Sequence, residues 1–357
     1  MTERIPHLAR LGAQARPTAS AAAGEARQYC ADVLTRRGFS VKEQEFEYSQ
    51  FPGRWATPTA GFVIPAVATG IVALRAAVSW WLPAAIAAVL VVVALVVWVA
   101  RGGVLGLSLA RARGVNLEAR RALPDGGDEP AVWLVAHIDS KWQPVSMLVR
   151  VAGVILVAIS AIGLALALTA WTSTIADFLA LLWLGGIPLM LSVVGARNHG
   201  TLDNASGVAA VLEAIELLPE TANVGVLISD AEELALAGAS AWAVGRRAGT
   251  ALNCDSVDDE GELVVMYTGV VPRQLLSSFE QAASDSNEPL RTLRLLPGIL
   301  TDSVALARAG WNTVTLSRGT LRTLSRIHTS RDSLATMDGR GIAGAARVLV
   351  RVAMEMS

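Results

Sequence analysis

Four apolar runs, arranged as two close pairs, constrain this 357-residue chain more than any other feature of it. They cover 56–74 and 80–99, then 151–171 and 178–196. Each comes close to the about 20 helical residues that cross a hydrocarbon core. Arg75 and the Trp80-Trp81 doublet separate the first two runs, which suits a turn at headgroup level with interfacial aromatics. The turn of the second pair is 172–177. The run 56–74 is the weakest, because it holds Pro58, Pro65 and Gly70. Burying all four runs inside a large soluble core is the plainer alternative, but charge-free runs of this length are rare in soluble proteins. Composition points the same way: 53% of the residues are hydrophobic and only 17% charged, against about 25% in an ordinary soluble domain. Mean hydropathy is +0.46. The expectation is four transmembrane helices, inserted into a lipid bilayer as the hairpins 56–100 and 145–196.

Orientation follows from where the cations sit near the membrane ends. Lys42, Arg54, Arg101, Arg111, Arg113, Arg120, Arg121, Lys141, Arg150 and Arg197 lie on the side shared by both termini, while the hairpin tips offer only Arg75. Two hairpins return the chain to its starting side, so both termini and every remaining segment are expected in the cytoplasm. Arg111, Arg113, Arg120 and Arg121 most simply serve this topology and touch anionic lipid heads. The N-terminus has charges but no apolar core region, unlike a secretory signal peptide. Lys and Arg number 30 against 31 Asp and Glu, a net charge of −1, so nucleic acid drops out as a partner. Cys30 and Cys254 stand far apart without a CxxC pair, which excludes a disulfide scaffold and a thiolate zinc finger. Any metal must be held by His and carboxylates.

The segments 1–55, 101–144 and 197–357 then form one soluble domain, interrupted in sequence and not in space, with about 270 residues and room for a real core. Residues 20–38 have helical character, 40–48 alternate like a strand, and 115–121 read as another strand. Short apolar runs ending in polar residues follow: VWLVA before His137, VGVLIS before Asp230, TALNC before Asp255 and NTVTL before Ser317. Such runs suit buried strands of a mostly parallel sheet. The clearest helix is 204–218, whose apolar positions Val208, Val211, Leu212, Ile215 and Leu218 recur at helical spacing, with Asp203 near its N-terminal cap. The stretch 124–130 (PDGGDEP) is a polar turn. The fold class is α/β, a mixed and mostly parallel sheet flanked by helices.

In open α/β sheets, ligands gather at the carboxyl ends of strands. Those ends carry the unusual residues here: His137-Ile138-Asp139, Asp230-Ala231-Glu232-Glu233 and Asp255, joined by Asp203-Asn204-Ala205-Ser206-Gly207 and His328-Thr329-Ser330-Arg331-Asp332. Imidazole and carboxylate are the ligands zinc takes when thiolates are absent. Two Zn2+ ions need roughly five protein ligands if one carboxylate bridges them. His137, Asp203, Glu233, Asp255 and His328 make that set. Glu232, beside Glu233, is placed to take the proton from a water between the ions and pass it to the leaving group. Asp139 can hold the His137 imidazole by its second nitrogen.

The strings AHIDS, DNASG, EEL with GAS, NCD and IHTSRDSL, in that order, resemble metallopeptidase family 28, the dinuclear zinc aminopeptidases. The resemblance spans roughly 20–50, 113–140 and 197–355; single motifs are weak, and five in order are strong. It implies His137 and Asp255 on one ion, Glu233 and His328 on the other, Asp203 between them, Glu232 as general base and Asp139 as the aspartate behind the histidine. Thr301-Asp302-Ser303 resembles the family's late pocket-shaping segment, without a metal ligand. Three departures stand out. The second hairpin is inserted between His137 and Asp203, which sets the active site close to the membrane surface. Ile327 precedes the late His where the family often has Tyr, so another oxyanion donor must serve. Ala235-Leu236 replaces the usual Gly-Leu, a mild change.

Plainer roles remain for neighbouring residues. His199 reads as a loop residue near Asp203, His7 as solvated, and Cys254 as a small buried strand residue. The expected activity is a membrane-bound zinc peptidase acting on a peptide substrate, an aminopeptidase before a carboxypeptidase or dipeptidase. The rivals are a catalytically silent membrane scaffold on the peptidase fold and a single-zinc acyltransferase like the glutaminyl cyclases. A transporter is disfavoured, since the spans carry almost no intramembrane charge.

Overall fold

The computed structural model describes residues 5–121, 129–170, 173–295 and 299–357, with the side chains of 99–102 left aside. Eight strands form one sheet: β1 (Ser40–Ser49), β2 (Arg111–Arg120), β3 (Val132–His137), β4 (Val224–Ser229), β5 (Thr250–Val257), β6 (Glu262–Tyr267), β7 (Leu290–Arg294) and β8 (Asn312–Gly319). Their order is β1-β2-β4-β3-β5-β8-β6-β7. The pairs β3–β4, β3–β5, β5–β8 and β6–β7 are parallel. The pairs β1–β2, β2–β4 and β6–β8 are antiparallel. The sheet is mixed and mostly parallel, as the apolar runs imply.

The helices are α1 (Pro6–Leu11), α2 (Ala21–Arg36), α3 (Thr57–Ala77), α4 (Trp81–Gly106), α5 (Met147–Ala170), α6 (Ile175–Met190), α7 (Ser206–Leu217), α8 (Ala237–Ala243), α9 (Arg273–Asp285), α10 (Asp302–Arg308), α11 (Leu321–Arg326) and α12 (Arg340–Met356). Strand β3 shows how the sheet is covered, since successive side chains of a strand point to opposite faces. Val132, Leu134 and Ala136 enter the core shared with α2, α7, α9 and α12. Trp133 and Val135 enter the other, with Trp242 of α8, Leu306 of α10 and Trp311. All six positions of β3 and of β4 are buried, which explains why both read as continuous apolar runs.

Three stretches are helical, long and apolar enough to cross a membrane: Pro52–Ala77, Trp81–Trp98 and Met147–Ala170. The fourth expected span differs. Helix α6 has 16 residues, about 24 Å at the helical rise and short of a hydrocarbon core of about 30 Å. The tail of that apolar run leaves the helix after Met190, and Gly195 pairs with Trp142 instead. Helix α6 packs against α5 and α3 through glycines. A Cβ on Gly61 would stand 2.8 Å from the Gly186 carbonyl, and one on Gly153 would stand 3.0 Å from that of Gly185. Small residues of this kind let apolar helices approach closely. Helix α4 leaves Leu90, Val93 and Val96 exposed.

Other expectations are corrected by the packing. Helix α7 begins at Ser206 and its N-cap is Ala205, with no side-chain cap, because the Asp203 carboxylate is drawn toward two imidazoles. His7 is buried, with Nδ1 2.7 Å from the Tyr29 hydroxyl and Nε2 3.5 Å from Glu216. Arg120 and Arg121 belong to the domain. Arg120 pairs with Glu118 at 2.6 Å and lies over Trp133, while Arg121 lies over Phe39 and donates to the Pro219 carbonyl at 2.7 Å. Arg111 and Arg113 both pair with Glu47. The polar turn expected at 124–130 lies outside the described residues except for Glu129 and Pro130.

Candidate metal centre

Five loops at the carboxyl ends of the strands converge on one point. His137 closes β3, Asp203 sits in the turn before α7, Glu232 and Glu233 follow β4, Asp255 sits at a register shift in β5, and His328 follows α11. Three of these turns hold a non-glycine residue in the left-handed region: Ala231 (φ 58°), Ser256 (φ 57°) and His328 (φ 68°). Such conformations cost free energy and persist where surrounding contacts hold them, as at functional sites.

Two triads share Asp203. His137 Nε2 lies 3.2 Å from Asp203 Oδ1 and 3.7 Å from Asp255 Oδ1. His328 Nε2 lies 3.1 Å from Asp203 Oδ2 and 3.2 Å from Glu233 Oε1. Within each triad the candidate ligand atoms all fall within 4.8 Å of one another. All five residues are buried. Yet His137 Nε2 and Glu233 Oε1 have no hydrogen-bond partner, although oxygen or nitrogen atoms face them at close range. Buried polar atoms are normally satisfied. Acceptors and lone pairs aimed at a common point without hydrogen-bond alignment fit a cation, and this set of imidazoles and carboxylates suits zinc. A third cluster, His7 with Glu213 and Glu216 of α7, is partly exposed and shares no residue with the two triads.

Glu232 belongs to neither triad. Its Oε2 lies 3.9 Å from His137 Nε2. Burial pushes its carboxyl well above the usual carboxylate range, against the pull of His137 and with help from Glu233, Asp255 and Asp302. Burial also opposes ionisation of Glu233, but His328 and Lys141 outweigh it and bring Glu233 down to about 2. For Asp203 the two imidazoles likewise overcome burial and lower its pKa. Burial raises Asp255. His137 is buried, which disfavours its charge, yet Glu232 and the carboxylates of Asp139, Asp203 and Asp255 raise it well above the ordinary imidazole value.

The supporting contacts go beyond the expected one. The Asp139 carboxylate accepts the backbone N–H of Glu232 at 3.1 Å and of Glu233 at 3.2 Å, and the Thr18 hydroxyl donates to it at 3.1 Å. The atom nearest His137 Nδ1 is the Asp139 backbone oxygen, at 3.1 Å, with the carboxylate at 3.5 Å. Asp139 therefore orients the Glu pair first and the imidazole second. Asn204 ties the Asp203 turn to the Asp255 strand: its amide donates to the Cys254 carbonyl at 3.0 Å, and its oxygen accepts from Gly207 at 2.9 Å and Ser256 at 3.1 Å. Only glycine fits at 207, where a Cβ would lie 2.4 Å from the Cys254 carbonyl oxygen. Asp332 accepts the backbone N–H groups of Leu202 and Asp203, at 2.6 and 3.2 Å. Asp302 stays outside both triads and receives the Ser229 hydroxyl. Cys254 is buried, and His199 is exposed.

Three residues escaped the sequence reading. Lys141, counted there for topology alone, is buried and ion-paired with Glu233. Arg16 is fully buried and donates to the backbone carbonyls of Ile138 at 2.9 Å, His199 at 2.8 Å and Gly200 at 2.9 Å, so it clamps the loops that carry His137 and Asp203. Burial lowers its pKa to about 10, while Asp332 and Asp139 counter the shift. Arg150 lines the cavity above the triads, which holds about 310 Å³. Pro52, Gly53 and Thr57 from the entry of α3 and Met147 from the start of α5 also line it. The roots of both apolar pairs thus form walls of the site. Ile327, with no donor on its side chain, lies buried in the same lining.

A model of peptidase family M28 matches residues 120–353. The chain belongs to peptidase family M28. This M28 chain also has the fold of solved zinc aminopeptidases. The aminopeptidase from Aneurinibacillus sp. strain AM-1 is 12% identical, with a TM-score of 0.58 over 97% of this chain and 91% of that one. A zinc aminopeptidase from Bacillus subtilis is 14% identical, with a TM-score of 0.58 over 98% and 93%. The glutaminyl cyclase of Fimbriiglobus ruber is 14% identical, with a TM-score of 0.57 over 99% and 94%. No curated protein matches the sequence.

Proposed function

We propose that this M28 chain is a membrane-anchored, two-zinc aminopeptidase. The observation that carries the reading is the pair of buried triads sharing Asp203, both complete in donors and both with unpartnered atoms aimed inward. His137 and Asp255 would hold one ion, Glu233 and His328 the other, with Asp203 between them. Zinc bound there supplies Lewis acidity toward a carbonyl oxygen and makes water more acidic.

Glu232 faces the same cavity and acts as general base. Water adds its oxygen to the peptide carbonyl carbon as Glu232 takes its proton. When the C–N bond breaks, Glu232 returns that proton to the departing amine nitrogen. Asp139 and Thr18 hold the backbone of the Glu pair, and Lys141 keeps Glu233 ionised beside His328.

The apolar helices anchor the enzyme in a bilayer, with the catalytic domain and both termini in the cytoplasm, an orientation supported by the cation count around the helix ends. Protease access to a tag at Ser357 from outside intact cells contradicts that orientation. Zinc per chain and hydrolysis of aminoacyl reporters, measured on detergent-purified wild type and Asp203→Ala, test the site. Two zinc ions and turnover in the wild type, with metal lost in the variant, are expected. One zinc ion and cyclisation of N-terminal glutamine select the cyclase reading instead, and two zinc ions without turnover on any substrate select a silent scaffold.

A further inference from the structure

The cavity above the triads is small for a ligand site, about 310 Å³, where such sites run from about 300 to 1,000 Å³. It has an apolar wall of Leu293, Ile299, Leu300, Leu321 and Leu324. Cations are unusual in such a lining. Four are present among the described residues: Lys141, Arg150, Arg291 and Arg318. Lys141 is paired with Glu233, Arg291 with Glu262 and Arg318 with Glu288. Arg150 has no carboxylate partner among the described residues. Among the described residues its guanidinium hydrogen-bonds two uncharged atoms, the Gln143 side-chain oxygen at 3.4 Å and the Met147 sulfur at 2.8 Å, while the charges of Glu233, Glu232 and Asp203 act on it from beyond ion-pair distance. Guanidinium is built for planar, two-point binding of carboxylate, and neither a thioether nor a stretched amide contact uses that capacity.

Its position is fixed from outside the peptidase domain. Arg150 stands one turn into α5, the apolar helix inserted between His137 and Asp203. The backbone N–H at the start of that helix, Met147, donates to the Ile327 carbonyl at 3.4 Å, and Ile327 directly precedes His328. The inserted hairpin thus delivers one unpaired guanidinium to the cavity wall beside the candidate ligand His328.

We infer that Arg150 is a specificity residue that binds a carboxylate carried by the substrate residue after the scissile bond. This rests on the peptidase reading for the bond that is cut, but the recognition itself is a binding property. The carboxylate can come from the C-terminus of a dipeptide or from an acidic side chain, and the two sources are separable.

The experiment uses the zinc-loaded, detergent-solubilised full chain. Calorimetric affinities are measured for Leu-Leu, Leu-Leu-amide and Leu-Glu-amide on Glu232→Gln protein, where turnover is suppressed, and again with Arg150→Met or Arg150→Lys added. Leu-Leu is expected to bind about tenfold or more tighter than Leu-Leu-amide, as a charge-assisted two-point contact provides. Arg150→Met brings that ratio close to one, and Arg150→Lys falls between. Tight Leu-Leu with Leu-Glu-amide binding like Leu-Leu-amide assigns the chain end as the source; tight Leu-Glu-amide with Leu-Leu binding like Leu-Leu-amide assigns the side chain. Equal affinity for all three peptides, or a ratio unchanged in Arg150→Met, overturns the inference. Carboxylate-dependent binding with no hydrolysis by the wild type overturns the peptidase reading and leaves this one standing.

Discussion

The carboxylate of Asp139 receives the backbone N–H of Glu232 at 3.1 Å, and its second oxygen receives that of Glu233 at 3.2 Å. One buried side chain thus fixes the direction of both the candidate base and a candidate ligand. Asp139→Asn replaces one acceptor oxygen by a donor and leaves one of those N–H groups unpaired. Turnover is expected to fall about 10- to 100-fold, the usual effect of removing a partner behind a metal site. The check is kcat and KM measured separately with zinc content in parallel. A loss confined to KM contradicts the orienting role.

Gly53, at the entry of α3, lies against the turn that carries the Glu pair. A Cβ there would stand 2.4 Å from Leu234 Cα and 2.7 Å from its carbonyl carbon. Backbone cannot yield as a flexible side chain does, so Gly53→Val displaces the turn or the helix. We expect a drop in kcat of about tenfold or more, since misplacement by about 1 Å costs up to about 100-fold. Gly70, in the same helix with nothing within 4 Å of its would-be Cβ, is the control, and Gly70→Val keeps full activity. Full activity in Gly53→Val would mean that α3 and the site are not coupled.

Burial pushes the Asp302 carboxyl up to about 7, opposed by His137 and the Ser229 hydroxyl and reinforced by Asp139 and Asp255. A carboxyl whose pKa is raised on folding favours the folded state below its ordinary value near 3.8, and that contribution is lost as pH rises through about 7. In chelator-treated protein, Asp302→Asn therefore gains Tm over the wild type at pH 8 but not at pH 4. Melting curves across that range decide it, and a constant difference between the two proteins contradicts the argument.

The candidate ligands were legible because each follows an apolar strand or opens a recognisable turn, so local sequence alone marks His137, Asp203, Glu233, Asp255 and His328. What local sequence hides is the partner far along the chain. Arg16 is bound by carbonyls more than a hundred residues away, and nothing near it in sequence announces burial. Lys141 and Arg150 sit beside apolar runs, where a cation ordinarily marks membrane orientation, and the same placement brings them to the cavity. Strand β7 (LRTLR) lacks any fully buried position, so no apolar run announces it. The cap expected near Asp203 is absent for a related reason: a carboxylate before a helix normally serves its N–H groups, but two imidazoles compete for this one.

In the proposed mechanism Glu232 moves the proton while five neighbours hold two zinc ions. Glu232→Gln keeps the shape of the side chain and removes its basicity, so zinc per chain and hydrolysis of an aminoacyl reporter should separate cleanly in detergent-purified protein. Two zinc ions in both proteins, turnover in the wild type, and a loss of at least about 100-fold in the variant are expected. Wild-type turnover in Glu232→Gln, or a wild type that holds fewer than two zinc ions, would contradict the mechanism.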